Sequence, residues 1–135
     1  MQATIEELKN KDLNNIEVSQ WDVVLVNLGQ NVGAEKCGVR PAVVVSKDCI
    51  NNASGNVVVA PLTKADHRIN SRGKLKLYSS QVYLSNEYFL GLSWPSVVQY
   101  EDIRSISKSR IIKTMDRLSE TKILASEIAL KSILG

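Results

Sequence analysis

Hydrophobic residues are sparse at the start of this chain and then arrive in short, dense runs. From Asp22 to Leu28 the sequence DVVLVNL is nearly unbroken in apolar, mostly β-branched residues. Such side chains lose χ1 freedom in a helix and fit a pleated surface, so a first strand is expected here. Ala42 to Ser46 continues from Pro41, whose missing N–H is tolerated at a strand head. Asn56 to Leu62 carries the run Val57-Val58-Val59 and reads as a third, buried strand. Between the second and third strands, Lys47 to Gly55 is polar. With Asn51, Asn52 and Gly55 as turn formers, it reads as a loop.

The second half is more mixed. Thr63 to Gly73 is a polar, basic loop, and Lys74 to Leu84 alternates well enough for one or two strands. Asn86 to Pro95 is a connection containing Gly91 and Trp94-Pro95. Ser96 to Tyr100 reads as a strand, and Arg104 to Ile106 as a short one. Ser107 is placed to cap a helical turn running through Leu118, and Ser119 with Glu120 to start a last helix. In that helix Ile123, Leu124, Ile128 and Ile133 recur near helical spacing, with Ala125, Ala129 and Leu130 filling the stripe. Lys122, Glu127 and Lys131 fall on the outer face. At the other end, Thr4 to Lys11 is a short helix with Thr4 and Glu7 as a capping box. Its apolar face is thin and Asn14-Asn15 breaks it, so residues 1–20 form an arm and residues 21–135 the domain. Strands first and helix last predict a mainly β fold, a small barrel or half-barrel with a packed C-terminal helix.

Composition narrows the function classes. At 135 residues the chain is one domain, long enough for a real core. A net charge of +3 permits a polyanionic partner without requiring one. The distribution says more. Residues 1–22 hold five acids against two lysines, whereas Lys64, Arg68, Arg72, Lys74 and Lys76, then Arg104, Lys108, Arg110, Lys113 and Arg117, form two basic blocks. Each block is either a solvated face or a track for a phosphate backbone. Cys37 and Cys49 follow no metal or redox spacing, and His67 is the single histidine, so no metal site and no cofactor are expected. The polar start reads as no secretory leader, and no apolar run nears ~18 residues, so no membrane span is expected and the cytoplasm is the default location.

The stretch Gly33-Ala34-Glu35-Lys36-Cys37-Gly38-Val39-Arg40-Pro41 links the first two apolar runs. A glycine-punctuated loop thus delivers one arginine to the first turn of a buried strand. An arginine there either pairs with a carboxylate to hold the loop or works on an anion, for which its planar donor fork is suited. If the second and third strands are antiparallel neighbours, Arg40 and Thr63 converge at one edge. Taken alone, Thr63 reads as a turn cap. His67 sits in a polar loop with no cysteine or serine motif around it and reads as structural or simply exposed. No glycine-rich phosphate loop is present, so nucleotide hydrolysis is not expected.

From about Trp21 to Gly135 the chain resembles the MazF/PemK family of bacterial toxin endoribonucleases. The matching motifs keep their order. They are Asp22-Val23-Val24-Leu25-Val26, then Gly33-Ala34-Glu35, Val39-Arg40-Pro41 and Ala60-Pro61-Leu62-Thr63. Later come Ser96-Val97-Val98, Glu101-Asp102-Ile103-Arg104-Ser105-Ile106 and Lys108-Ser109-Arg110. The resemblance implies a homodimeric, SH3-like barrel of the MazF/PemK/CcdB type that cuts single-stranded RNA at short motifs without metal. Its partner is an antitoxin whose acidic, disordered tail would suit the basic loops. The family's catalytic arginine maps to Arg40, its catalytic threonine to Thr63 and its loop glutamate to Glu35, a candidate to help the base step. Ser96 maps to a substrate-contacting serine, and Lys36, Lys64, Lys74 and Asp102 are the further positions expected to meet RNA. The chemistry is economical: the RNA's own 2′-hydroxyl attacks the adjacent phosphorus, and a guanidinium supplies fixed donors for the charge that develops. The sequence departs from the family pattern at Trp21 and Cys37, where glycines are common, at Gln81, where a histidine is common, and at Asp102, where a glutamine is. Two other readings use the same barrel: a gyrase-binding poison without catalysis, and a module that grips RNA without cutting it. Trp94 is either a base-stacking residue or a rim residue covering the barrel.

Overall fold

A computed structural model of the protein describes residues 16–30, 37–85 and 92–135. The expected arm helix over Thr4 to Lys11, and Gly33, Glu35 and Lys36 of the loop, lie outside the described residues. Seven strands form one antiparallel sheet: β1 (Asp22–Asn27), β2 (Val39–Val44), β3 (Asn56–Lys64), β4 (Gln81–Leu84), β5 (Ser96–Gln99), β6 (Arg104–Ser107) and β7 (Ile111–Arg117). Their order is β4-β5-β3-β2-β1-β7, with β6 also paired to β3. Among the described residues two α-helices accompany them, α1 (Asp48–Ala53) and the C-terminal α2 (Glu120–Leu134).

β3 is the hub. One edge pairs with β2 through Ala42↔Pro61 to Val44↔Val59. The other edge pairs with β6 over its first half and with β5 over its end, where Leu62, Thr63 and Lys64 face Val98, Val97 and Ser96. The sheet is buried on both sides. Val23, Val43, Ala60, Leu62, Val82 and Val98 pack with Trp21, Tyr100 and Ala129 of α2. Their sequence neighbours Val24, Ala42, Val44, Val57 and Val59 pack on the opposite side with Leu28, Ile106 and Ile111. Double-sided burial is the reason the first three strands read as unbroken apolar runs without alternation.

Several expected elements come out differently. Lys47 to Gly55 is not a loop, because Asp48–Ala53 form α1. Asn51, expected as a turn former, is fully buried: its Nδ2 donates to the Ser46 carbonyl at 2.8 Å while Ser46 Oγ donates to its Oδ1. Pro41 lies inside β2, opposite Leu25, and its missing N–H falls before the β2–β3 ladder begins at Ala42. Thr63 is within β3 and not past its end. Of Lys74 to Leu84 only Gln81–Leu84 is strand, and Leu75 makes an isolated bridge to Ile69. The helical turn expected through Leu118 is limited to a 3-10 turn over Lys108–Arg110, capped by Ser107. Residues Ile111–Arg117 form β7 against β1, where the β-branched Ile111, Ile112 and Thr114 suit a strand and tertiary pairing overrides the weak helical signal. Along α2 the buried Ser126 and Ala129 face the core, with Ile123, Ala125 and Leu130 of the expected stripe packed beside them, while Leu124, Ile128 and Ile133 are exposed. The start of that helix is as expected, with Ser119 Oγ accepting from the Lys122 N–H at 3.3 Å.

Trp21 enters β1 with a left-handed backbone, φ 73°, in the region that favours glycine. It is nonetheless locked in place. Its N–H donates to the Val44 carbonyl at 2.7 Å, its carbonyl accepts from the Leu118 N–H at 3.0 Å, and its ring is buried in the core.

Tyr100 is the largest fully buried side chain, and its hydroxyl donates to Ser126 Oγ. Burial drives its phenol pKa upward, opposed in part by the Ser126 hydrogen bond. The folded state therefore keeps the proton, whereas an unfolded tyrosine ionises near pH ~10. Stability from this group is fully present below that pH and falls as the pH rises above it. Tyr100→Phe is expected to lose about 1 kcal/mol at pH 7 and to flatten the alkaline decline. Urea denaturation on both sides of the unfolded tyrosine range checks this. An equally steep decline in the variant refutes it.

Candidate active site

The flanks of the loop between β1 and β2 are fastened by two glycines in the left-handed region, Gly29 at φ 71° and Gly38 at φ 73°. The Leu28 N–H donates to the Gly38 carbonyl, and the Gly38 N–H to the Gly29 carbonyl, both at 2.9 Å. This clasp sets where Arg40 leaves the loop. Its Nε donates to the Cys37 carbonyl at 3.2 Å and its Nη1 to the Leu62 carbonyl at 3.3 Å. Arg40 is thereby laid across from β2 to the end of β3. Among the described residues no carboxylate forms an ion pair with it; the ion pairs present are His67–Asp66 and Arg117–Asp22. A guanidinium carries five N–H donors, so donors remain for an anion.

Thr63 lies at the same edge, on β3 where it pairs with Val97. Extending the β2–β3 register past its last ladder pair sets Arg40 opposite Thr63. Both residues line a cavity of about 480 Å³. Its floor is apolar, from Leu25, Leu62, Leu92 and Met115, and its rim carries Arg40, Lys64, His67 and Lys113. An apolar floor under a cationic rim suits a base with its phosphates. Lys64 Nζ stands 3.9 Å over the Trp94 ring, and the ring is about half exposed, at 49%. The same pair also lines a second cavity of about 390 Å³, floored by Ala65, Ile69, Leu75 and Pro95. Lys64 and Trp94 therefore form a partition between two adjoining hollows. Ser96, almost fully buried beneath it, donates from Oγ to the Trp94 carbonyl at 3.0 Å and fixes the turn that presents the indole.

A match to known sequences decides the family. Residues 19–134 match the PemK-like, MazF-like toxins of type II toxin–antitoxin systems. The chain belongs to this family. It is 29% identical over 118 residues to an endoribonuclease MazF from Staphylococcus epidermidis, which covers 87% of this chain and 92% of that protein. It is similar to a crystal structure of MazF from Deinococcus radiodurans, with a TM-score of 0.70 and 25% identity over 90% of this chain and 99% of that one. A MazE–MazF crystal structure from the same organism gives a TM-score of 0.64 and 26% identity over 87% of this chain and 96% of that one.

Of the positions that the PemK/MazF resemblance singles out, the fold brings Arg40, Thr63, Lys64 and Ser96 to one cavity. Lys74 is exposed outside it, with its backbone engaged by Asn70. Asp102 ends the 3-10 turn between β5 and β6 and does not line the cavity. Glu35 and Lys36 lie outside the described residues. Gln81 is buried and donates from Nε2 to Glu101 at 2.6 Å, a bracing contact to β4.

Two cavity residues stand outside the site positions that the resemblance singles out, and in the sequence Lys113 reads only as part of a basic block. Lys113 reaches the rim because β7 is a strand that sets it opposite Leu25; the β-branched run Ile111-Ile112 was the available signal. His67 bonds Thr63 across four residues, Nδ1 to Oγ1 at 3.0 Å, because a 3-10 turn over Ala65–Arg68 follows β3 directly. Among the described residues, no group of three or more histidine, cysteine or carboxylate side chains is arranged to hold a metal ion, and no helix is long and apolar enough to cross a membrane.

Proposed function

We propose that this PemK/MazF-like toxin is a sequence-specific endoribonuclease that cuts single-stranded RNA without metal, by attack of the ribose 2′-hydroxyl on the adjacent phosphorus. The observation that carries the reading is the convergence of Arg40 and Thr63 on one cation-rimmed cavity with a half-exposed tryptophan at its edge. In this reading Arg40 steadies the charge on the phosphorane oxygens, and Thr63 holds a phosphate oxygen or the scissile ribose. Glu35 is the loop carboxylate that helps the base step. Lys36, Lys64 and Lys74 meet phosphates, Ser96 lies under the substrate, and Asp102 accepts from a base. The sheet closes as the family's SH3-like barrel, two copies form a homodimer, and residues 1–20 are an arm on that body. The toxin is held in the cytoplasm by a cognate antitoxin, a partner supported by the family match and by the likeness to a MazE–MazF structure.

The test is direct. Purified protein incubated with a mixed RNA should produce discrete fragments, and mapping their 5′ ends should give one short motif. RNA that is retained but uncut would reduce the chain to a binding module, and inhibited supercoiling with intact RNA would make it a gyrase poison. Trp94→Ala should also alter the pattern. One base stacked on an aromatic ring is worth ~1–3 kcal/mol, so KM should rise roughly tenfold or more, or the preferred motif should loosen. Unchanged motif and unchanged KM would leave Trp94 as a cover for the rim.

A further inference from the structure

We propose that His67 is the proton acceptor of the site and works through Thr63. This rests on the endoribonuclease reading above and adds to it a residue that the family resemblance does not supply. His67 Nδ1 stands 3.0 Å from Thr63 Oγ1. Both side chains line the cavity that holds Arg40. The turn bearing the imidazole is firmly seated, since Ala65 is buried and its N–H donates to the Pro95 carbonyl at 2.9 Å. The ring itself remains 64% exposed, open to exchange with solvent. Asp66 Oδ1 lies 3.8 Å from Nε2, on the side of the ring away from Thr63. The other charged groups lining the cavity with the ring are Arg40 from β2, Lys64 from β3 and Lys113 from β7, while Arg68 on its own turn is turned to Tyr78 and the Lys76 carbonyl.

Arg40 is a poor base, because a guanidinium does not give up its proton in the ordinary range. A neutral imidazole is a fitting one, and Thr63 stands between it and the substrate. The step balances. The 2′-hydroxyl proton passes to Thr63 Oγ1 as the proton of Thr63 passes to His67 Nδ1. The 2′ oxygen bonds to phosphorus, and the phosphorus–5′ oxygen bond breaks with its electron pair leaving on oxygen. That oxygen takes a proton from water, and the hydroxide formed takes the proton back from the imidazolium. A cyclic phosphate and a 5′-hydroxyl result, with no oxidant or reductant needed.

The experiment is single-turnover cleavage of an RNA oligonucleotide between pH 4 and pH 9 by wild type, His67→Gln, His67→Ala and Glu35→Gln, with circular dichroism on each. The acid limb of the rate profile reports the essential base, so the variant that loses the limb names it. The wild-type rate should rise about tenfold per pH unit along the acid limb and then level. His67→Gln should be slower by about a hundredfold and lack that limb, while Glu35→Gln keeps it. Added imidazole should restore part of the rate to His67→Ala. The proposal falls, with the endoribonuclease reading intact, if His67→Gln cuts at the wild-type rate, or if it keeps the limb and Glu35→Gln loses it. A wild-type chain that cuts no RNA overturns both.

Discussion

Arg40→Ala should lower RNA cleavage by at least a hundredfold and leave the fold standing. Removing one preorganised donor from a developing oxyanion costs ~3 kcal/mol, and Arg40 offers several donors. Its structural bonds are to the Cys37 and Leu62 carbonyls, at 3.2 and 3.3 Å. Both are long, and water can take over the carbonyl exposed at the loop, so stability should fall by only about 1 kcal/mol. Arg40→Lys keeps the charge but not the fork, and should recover only part of the rate. Thr63→Ala should fail as well, whereas Thr63→Ser keeps a hydroxyl for His67 and the substrate. Single-turnover rates with urea denaturation alongside separate the two effects. An Arg40→Ala protein cutting at the wild-type rate would remove the residue from the chemistry.

The second large effect belongs to the substrate. Replacing the one ribose before the scissile phosphate by deoxyribose should stop cleavage outright, because it deletes the nucleophile. Excess EDTA should change nothing. In the proposed reaction the positive charge at the phosphate comes from Arg40, Lys64 and Lys113, which line the cavity. The upstream product should end in a cyclic phosphate or 3′-phosphate and the downstream product in a free 5′-hydroxyl. Product end-labelling and mass measurement decide the matter. Undiminished cutting at the deoxyribose, or loss of activity in EDTA, would rule out this mechanism.

Much of this was legible in the residues, and the failures have physical causes. β1, β2, β3 and β5 were readable because they are short, dense and β-branched. β7 was not, since a serine cap at Ser107 and a mixed run suggested a helix, and only pairing with β1 selects the strand. α1 was hidden because asparagines signal turns. A buried Asn51 satisfied on both sides by Ser46 is a tertiary fact. The stripe expected on α2 holds in part: Ile123, Ala125, Ala129 and Leu130 pack against the core, whereas Leu124, Ile128 and Ile133 are exposed because the helix seats Ser126 against Tyr100. At the site, the Arg40–Thr63 edge followed from antiparallel pairing of adjacent strands. His67 was set aside because a lone histidine carries no spacing signal. Its meaning depends on β3 running straight into a 3-10 turn.

The left-handed tryptophan bears on how this lineage can change. At Trp21 a glycine would relieve backbone strain of roughly 1–2 kcal/mol. The indole, however, is packed among Val23, Val43, Leu118 and Ala129. Deleting a buried tryptophan typically costs 3–5 kcal/mol, more than the strain returned. Glycine is therefore not the easy replacement here, although it would relax the backbone. A change to glycine would need neighbours that enlarge first, so this position and its packing partners are expected to drift together.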